Sequence, residues 1–149
     1  MADYQVPLKD MNFLLYDVFN ADKLWQSLPT LADRVDRETA EAILQECAKV
    51  TEQEIAPLSR NGDEVGVAFN NGKVTTAPGY KEAFNTYVAG GWTSLVADPD
   101  FGGMGMPKML TAFHEEMLCS ADISFSLYPG LTAGAGLSLA KHGSEALKQ

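Results

Sequence analysis

The stretch ISFSLYPGLTAGAGLSLA, Ile123–Ala140, decides how this chain folds. It runs for 18 residues without one charged side chain. A segment that is apolar all round belongs inside something, either a protein core or a bilayer. The length just meets the rule for a membrane span. Ser124, Ser126, Thr132, Ser138, Pro129, Gly130, Gly134 and Gly136 make it too polar and too poor in helix formers for a lone span, and no basic cluster flanks it. The reading is a buried central helix, whose small residues let another helix or a slender ligand approach the backbone. Asp122 restarts the chain in front of it, and Lys141-His142-Gly143 ends it.

Working outward, Met109, Leu110, Phe113, Met117 and Leu118 give a preceding helix its apolar face, with Pro107 at its start. Before that lies Asp98-Pro99-Asp100-Phe101-Gly102-Gly103-Met104-Gly105-Met106-Pro107, a loop dense in turn formers. Tyr80, Phe84, Tyr87 and Val88 line another helix, opened by Pro78 and stopped by Gly90-Gly91. Val65, Val67 and Phe69 alternate up to Asn70-Asn71-Gly72, and Val74 follows. Asn-Gly in that setting predicts a hairpin, because a type I′ turn needs positive φ at both central residues. The strongest helix starts from Asp36 and carries Ala40, Ile43, Leu44, Cys47, Ala48, Thr51 and Ile55 on one face until Pro57. Glu38, Glu41, Glu46, Lys49 and Glu52 form its solvated face. Nearer the N-terminus, Met11, Leu14, Leu15, Val18 and Phe19 make one stripe over Lys9–Asn20, with Asp10 placed to cap it. Leu24, Trp25 and Leu28 add a second apolar patch. A helix so short needs a packing surface, inside this chain or outside it.

The whole chain has 149 residues, 46% hydrophobic and 21% charged, with a formal net charge of −9. That is enough for one folded domain. The acidic balance excludes a nucleic-acid binder, which needs a basic face, and disfavours docking on anionic lipid. Residues 1–66 carry 6 basic and 13 acidic side chains, against 5 and 7 in residues 67–149, so the second half reads as the more buried or interface-like part. Two distant cysteines, Cys47 and Cys119, exclude a disulfide-dense scaffold and a cysteine zinc ribbon. Met1-Ala2-Asp3-Tyr4 has no basic and apolar run behind it, so no secretory signal is read and the expected location is cytoplasmic.

Chemical motifs are weak. The Gly102-Gly103-Met104-Gly105 loop lacks the GK[ST] of a phosphate loop, and Lys108 stands where a dinucleotide fingerprint needs its third glycine. A turn is the plainer reading. His114-Glu115 starts like HExxH, but Leu118 replaces the second histidine, and His142 is the one other histidine, so no metal set is expected. Gly136-Leu137-Ser138-Leu139-Ala140 misses GxSxG and lies in a helix rather than at a strand-to-helix elbow. Residue chemistry alone stops at an all-α domain, a helical bundle with one short β-hairpin near residues 65–76.

Three motifs carry a resemblance further: PDFGGMGMP (99–107), FHEEMLCSADISF (113–125) and AKHGSEALK (140–148). Together they resemble the N-terminal helical domain of acyl-CoA dehydrogenases. NGDEVGVAFNNGKVTTAPGYKEAF (61–84) and the opening MADYQVPLKDMNFLLYDVF (1–19) are similar to a subgroup of long bacterial members. The resemblance implies a parent enzyme that uses FAD to desaturate an acyl-CoA thioester between its α and β carbons. It also implies electron-transfer flavoprotein as acceptor and a homo-oligomer.

Residues 1–34 are then an N-terminal extension with a short helix, and 35–149 the helical domain, cut before the family's β-domain. No catalytic or cofactor residue is assignable, FAD is not expected to stay on this chain, and the chain alone is expected to be inactive. A helix begun at Ser144 and cut at Gln149 reads as the end of a fragment. By resemblance the helix 123–140 lines the acyl-tail tunnel, which makes Phe125, Tyr128, Leu131, Thr132 and Ala135 the candidate tail contacts. The competing expectation is a free-standing, non-enzymatic helical interaction module.

Overall fold

The structure is a computed structural model and describes residues 3–148. Met1 and Ala2, read above for a leader, and Gln149, read above as the cut end of a helix, lie outside the described residues. Helix α1 (Leu8–Asn12) runs directly into a wide i→i+5 segment, Phe13–Val18, closed by the Phe19 N–H donating to Leu14 O at 2.9 Å. Asn20, at φ 49°, then turns the chain into α2 (Ala21–Ser27). The wide segment takes more residues per turn and rotates the later positions off the expected stripe. Met11 and Leu15 are therefore buried, while Leu14, Val18 and Phe19 are exposed. Of the second patch, Trp25 is buried and Leu24 and Leu28 are exposed. Asp10 is not the cap: Pro7 holds that position, and Asp10 sits in the first turn, where its charge complements the helix dipole.

Helix α3 (Arg37–Val50) is capped as expected, with the Thr39 N–H donating to Asp36 Oδ1 at 2.8 Å. Removing that acceptor in Asp36→Ala is expected to cost about 1 kcal/mol, read as a lowered denaturant midpoint. The predicted apolar face lands in the core, with Ile43 partly buried. Pro57 does not stop the helical path. It lies in the first turn of a short 3-10 piece, Ala56–Leu58, where its missing N–H costs nothing, and α4 (Ser59–Val65) follows at once. Glu52 departs from the solvated face: it is partly buried and accepts the Val6 N–H at 2.7 Å. The N-terminal segment thus finds its packing surface within this chain. Met11, Leu15, Ala21 and Trp25 share one core with Leu44 and Cys47 of α3 and with Leu110, Phe113 and Met117 further on.

Strands β1 (Ala68–Asn70) and β2 (Lys73–Thr75) pair antiparallel, with Asn70 opposite Lys73. Asn71 and Gly72 hold φ 49° and 80°, the double positive φ of the expected turn. Val65 falls in α4 rather than in the hairpin, and Val67, Phe69 and Val74 stay exposed. Helix α5 (Tyr80–Ala89) buries Tyr80, Ala83 and Tyr87; Phe84 is half-buried and Val88 is exposed.

Helix α6 (Lys108–His142) follows Pro107 and is broken at Asp122, whose φ −158° and ψ 98° are extended. It is two helices end to end, as the restart at Asp122 predicts. A short α7 (Glu145–Lys148) closes the described chain. The expectation of a buried central helix over 123–140 is corrected. Phe125 and Pro129 are buried, but every residue from Gly130 to Ala140 is exposed. The segment offers apolar surface on all sides, and the described residues cover its first two turns only. Among them, no helix is long and apolar enough to cross a membrane.

Candidate functional site

The break at Asp122 builds the site. Its extended backbone makes it the N-cap of the second half of α6, where the Phe125 N–H donates to Asp122 Oδ1 at 3.0 Å. The Tyr80 hydroxyl of α5 donates to Oδ2 of the same buried carboxylate at 2.5 Å. Burial pushes the Tyr80 phenol up, so it remains a donor at ordinary pH. Phe125, the first buried residue past the cap, then packs among aromatic rings. Its centroid lies 6.3 Å from Tyr80, 6.4 Å from Phe84, 5.8 Å from Tyr87 and 6.2 Å from Tyr128. One polar anchor and one aromatic cluster therefore fix the start of the exposed helix against α5.

Beside that cluster, sharing Tyr87 with it, lies a cavity of about 280 Å³. One wall is the helical face Ser126, Pro129, Gly130 and Ala133, spaced at three and four residues. Facing it are Tyr87, Trp92, Leu95, Leu118 and His114. Tyr87 OH and His114 Nε2 form a hydrogen-bonded pair at 3.2 Å, with the rings stacked at 5.5 Å and 11°. Trp92 lies 5.7 Å from the imidazole, tilted by 35°. Burial pulls the His114 pKa down to about 4, so the ring is neutral near pH 7. The cavity is thus a narrow apolar slot carrying no formal charge at its buried end, suited to an aliphatic group.

The residues singled out from the sequence sit around this slot rather than in it. Phe125 is fully buried in the aromatic cluster, and Tyr128 is 40% exposed at its edge. Leu131 is 79% exposed, and Thr132 and Ala135 are exposed as well. None of the five lines the cavity. The face that does was missed because an uncharged helix shows no contrast between its sides. The spacing of Ser126, Gly130 and Ala133, all small, was the available signal.

The glycine loop is a backbone turn. The amides of Gly102, Gly103, Met104, Gly105 and Met106 donate to Pro99, Asp98, Ser94, Ala97 and Leu95 carbonyls at 2.9–3.1 Å, which leaves none for a phosphate. Among the described residues, no group of three metal-ligating side chains forms. A larger groove, about 1190 Å³, runs between the N-terminal segment, α4 and the Asp122 turn. Asp3, Glu52, Asp63 and Asp122 line it beside a single Arg60. A dinucleotide cofactor with a diphosphate does not fit that acidic lining, and the 280 Å³ slot is smaller than sites for ligands of ordinary drug size. Among the described residues, neither of these two cavities has a lining that fits FAD.

Residues 37–149 match the family model of the acyl-CoA dehydrogenase N-terminal domain. The chain belongs to the acyl-CoA dehydrogenase family and forms its helical N-terminal domain. It is 38% identical over 97% of its length to 3-methylmercaptopropionyl-CoA dehydrogenase of Ruegeria pomeroyi. It is 30% identical over 93% of its length to the broad-specificity linear acyl-CoA dehydrogenase FadE5 of Mycobacterium tuberculosis. The chain spans 24% and 22% of these relatives, about a quarter of their length.

Proposed function

We propose that this chain is the N-terminal part of an FAD-dependent acyl-CoA dehydrogenase, and that it supplies one wall of the acyl-tail site. The observation that carries this reading is the apolar slot walled by Ser126, Pro129, Gly130 and Ala133 in a domain of this family. The slot suits an aliphatic tail: its buried end is aromatic and uncharged, and its helical wall is small enough for close approach. Phe125 and Tyr128 hold that wall against α5. Leu131, Thr132 and Ala135 continue the helix on its exposed side, where the rest of the polypeptide would close over them.

In this reading the α-proton base and the flavin site belong to the remainder of the polypeptide. FAD held there would supply the hydride-accepting chemistry for desaturation. Residues of this chain then place the tail and exclude water from it. Subunit contacts in a homo-oligomer, and an electron-transfer flavoprotein as acceptor, go with the same proposal.

The test compares two preparations. The polypeptide carrying this domain together with the rest of the enzyme, loaded with FAD, should reduce a dye in the presence of acyl-CoA and release enoyl-CoA, identified by mass. Residues 1–149 alone should be colourless and inactive. A yellow preparation of 1–149 contradicts placing the flavin elsewhere. A loaded, folded polypeptide that desaturates no acyl-CoA of any length contradicts the function.

A further inference from the structure

We propose that Trp92 is the stop that sets how long an acyl tail this domain accepts, an inference that rests on the cavity being the tail site. The cavity has a buried end and an open rim. Tyr87, Leu95, His114 and Leu118 are buried, whereas Val96, Glu115, Cys119, Gly130 and Ala133 are exposed. A tail entering by the rim runs toward the aromatic end. Most side chains there are committed to the fold. Tyr87 packs edge-on to Phe125 and stacks on Phe84 and His114, and Leu118 belongs to the same core.

Trp92 differs. It is half-buried on the 3-10 turn Trp92–Ser94, outside both long helices, and it presents the largest side chain of the cavity wall. Its position is set by the glycines before it. Gly91 takes φ 76°, and a Cβ added at Gly90 would lie 2.5 Å from the indole Nε1. Gly90 is thus a seat for the indole, and the seated ring, 5.7 Å from His114, forms part of the cavity wall. In this proposal a terminal methyl group running toward that end meets the indole. Removing the ring opens space for further methylenes, each worth about fourfold in affinity when buried.

The experiment uses the FAD-loaded enzyme that carries this domain, with a ladder of saturated straight-chain acyl-CoA thioesters. Both kcat/KM and Kd by calorimetry are measured for each. Trp92→Ala is expected to move both optima to longer tails, gaining about fourfold per added methylene that finds room. Gly90→Ala, which keeps the indole but displaces it, should also move the optimum, and should move it no further when added to Trp92→Ala. Gly130→Leu, which blocks the rim, should shift the profile to shorter tails. Trp92→Leu provides the same comparison if the alanine variant fails to fold.

An unchanged profile in the Trp92 variants, with a shortened one in Gly130→Leu, overturns the stop while leaving the cavity as the tail site. Unchanged profiles in all variants overturn the cavity assignment itself. A uniform loss at every length in folded Trp92 variants makes the tryptophan structural and overturns the proposal.

Discussion

Phe125→Ala is expected to destabilise the domain by about 3–5 kcal/mol, the range for emptying a buried aromatic site. The ring is fully buried, and four other aromatic rings lie within 6.4 Å of its centroid. It also sits three residues past the Asp122 cap, so its loss loosens the place where the second half of α6 attaches to α5. Collapse cannot fill the space easily, because Tyr80 is held by Asp122 and Tyr87 by His114. Urea unfolding of the chain, followed by circular dichroism, reads the effect. Phe125→Leu, which keeps most of the volume, should cost clearly less. A loss below about 1 kcal/mol for the alanine variant would mean that the cluster does not anchor the helix.

The second large effect is acid sensitivity through His114. Its pKa is pulled down to about 4 by burial, against about 6.5 in an unfolded chain. Protons therefore bind the unfolded state first. The stability from this site is complete above about pH 6.5 and falls as the pH drops toward 4. The depression corresponds to about 3 kcal/mol across that window. His114→Phe can keep the ring contacts with Tyr87 and Trp92 but has nothing to protonate, so its stability should be flatter over the same range. Carboxylates titrate in both proteins, and the difference between the two curves isolates the imidazole. Parallel curves for the two proteins would contradict a buried, neutral His114.

Much of the fold was legible wherever one local interaction decides the backbone. Asp36 caps α3 because a carboxylate is the natural acceptor for free first-turn amides. Asn71-Gly72 turns because those residues tolerate positive φ. Pro107 and Asp122 mark helix starts for related reasons. The failures have physical causes too. A wide turn after Asn12 shifts the register of the first stripe, and periodicity at 3.6 residues has no means of signalling it. The uncharged segment 123–140 fixed a helix but not its covered side, since every face is apolar enough to bury. That is why the cavity-lining face, Ser126, Pro129, Gly130 and Ala133, was not legible; the five tail contacts expected by resemblance, Phe125, Tyr128, Leu131, Thr132 and Ala135, lie outside that lining. The place of Trp92 and His114 in the cavity was not legible for another reason. Their role depends on α5, the turn after it and the first half of α6 meeting at one point.

Cys119 offers the most direct test that the slot between α5 and α6 holds the acyl tail. Its thiol is free, exposed and on the cavity wall. Cys47 is buried, and burial pushes its thiol up to about 12, so it serves as an unreactive control. The measurement is the rate of Cys119 alkylation in the loaded enzyme, followed by peptide mass spectrometry, with and without a saturated acyl-CoA. Tail occupancy predicts that alkylation slows by about tenfold when the ligand is tenfold above its Kd, and that free CoA, which has no tail, gives no protection. An alkylation rate unchanged by saturating acyl-CoA would contradict the account.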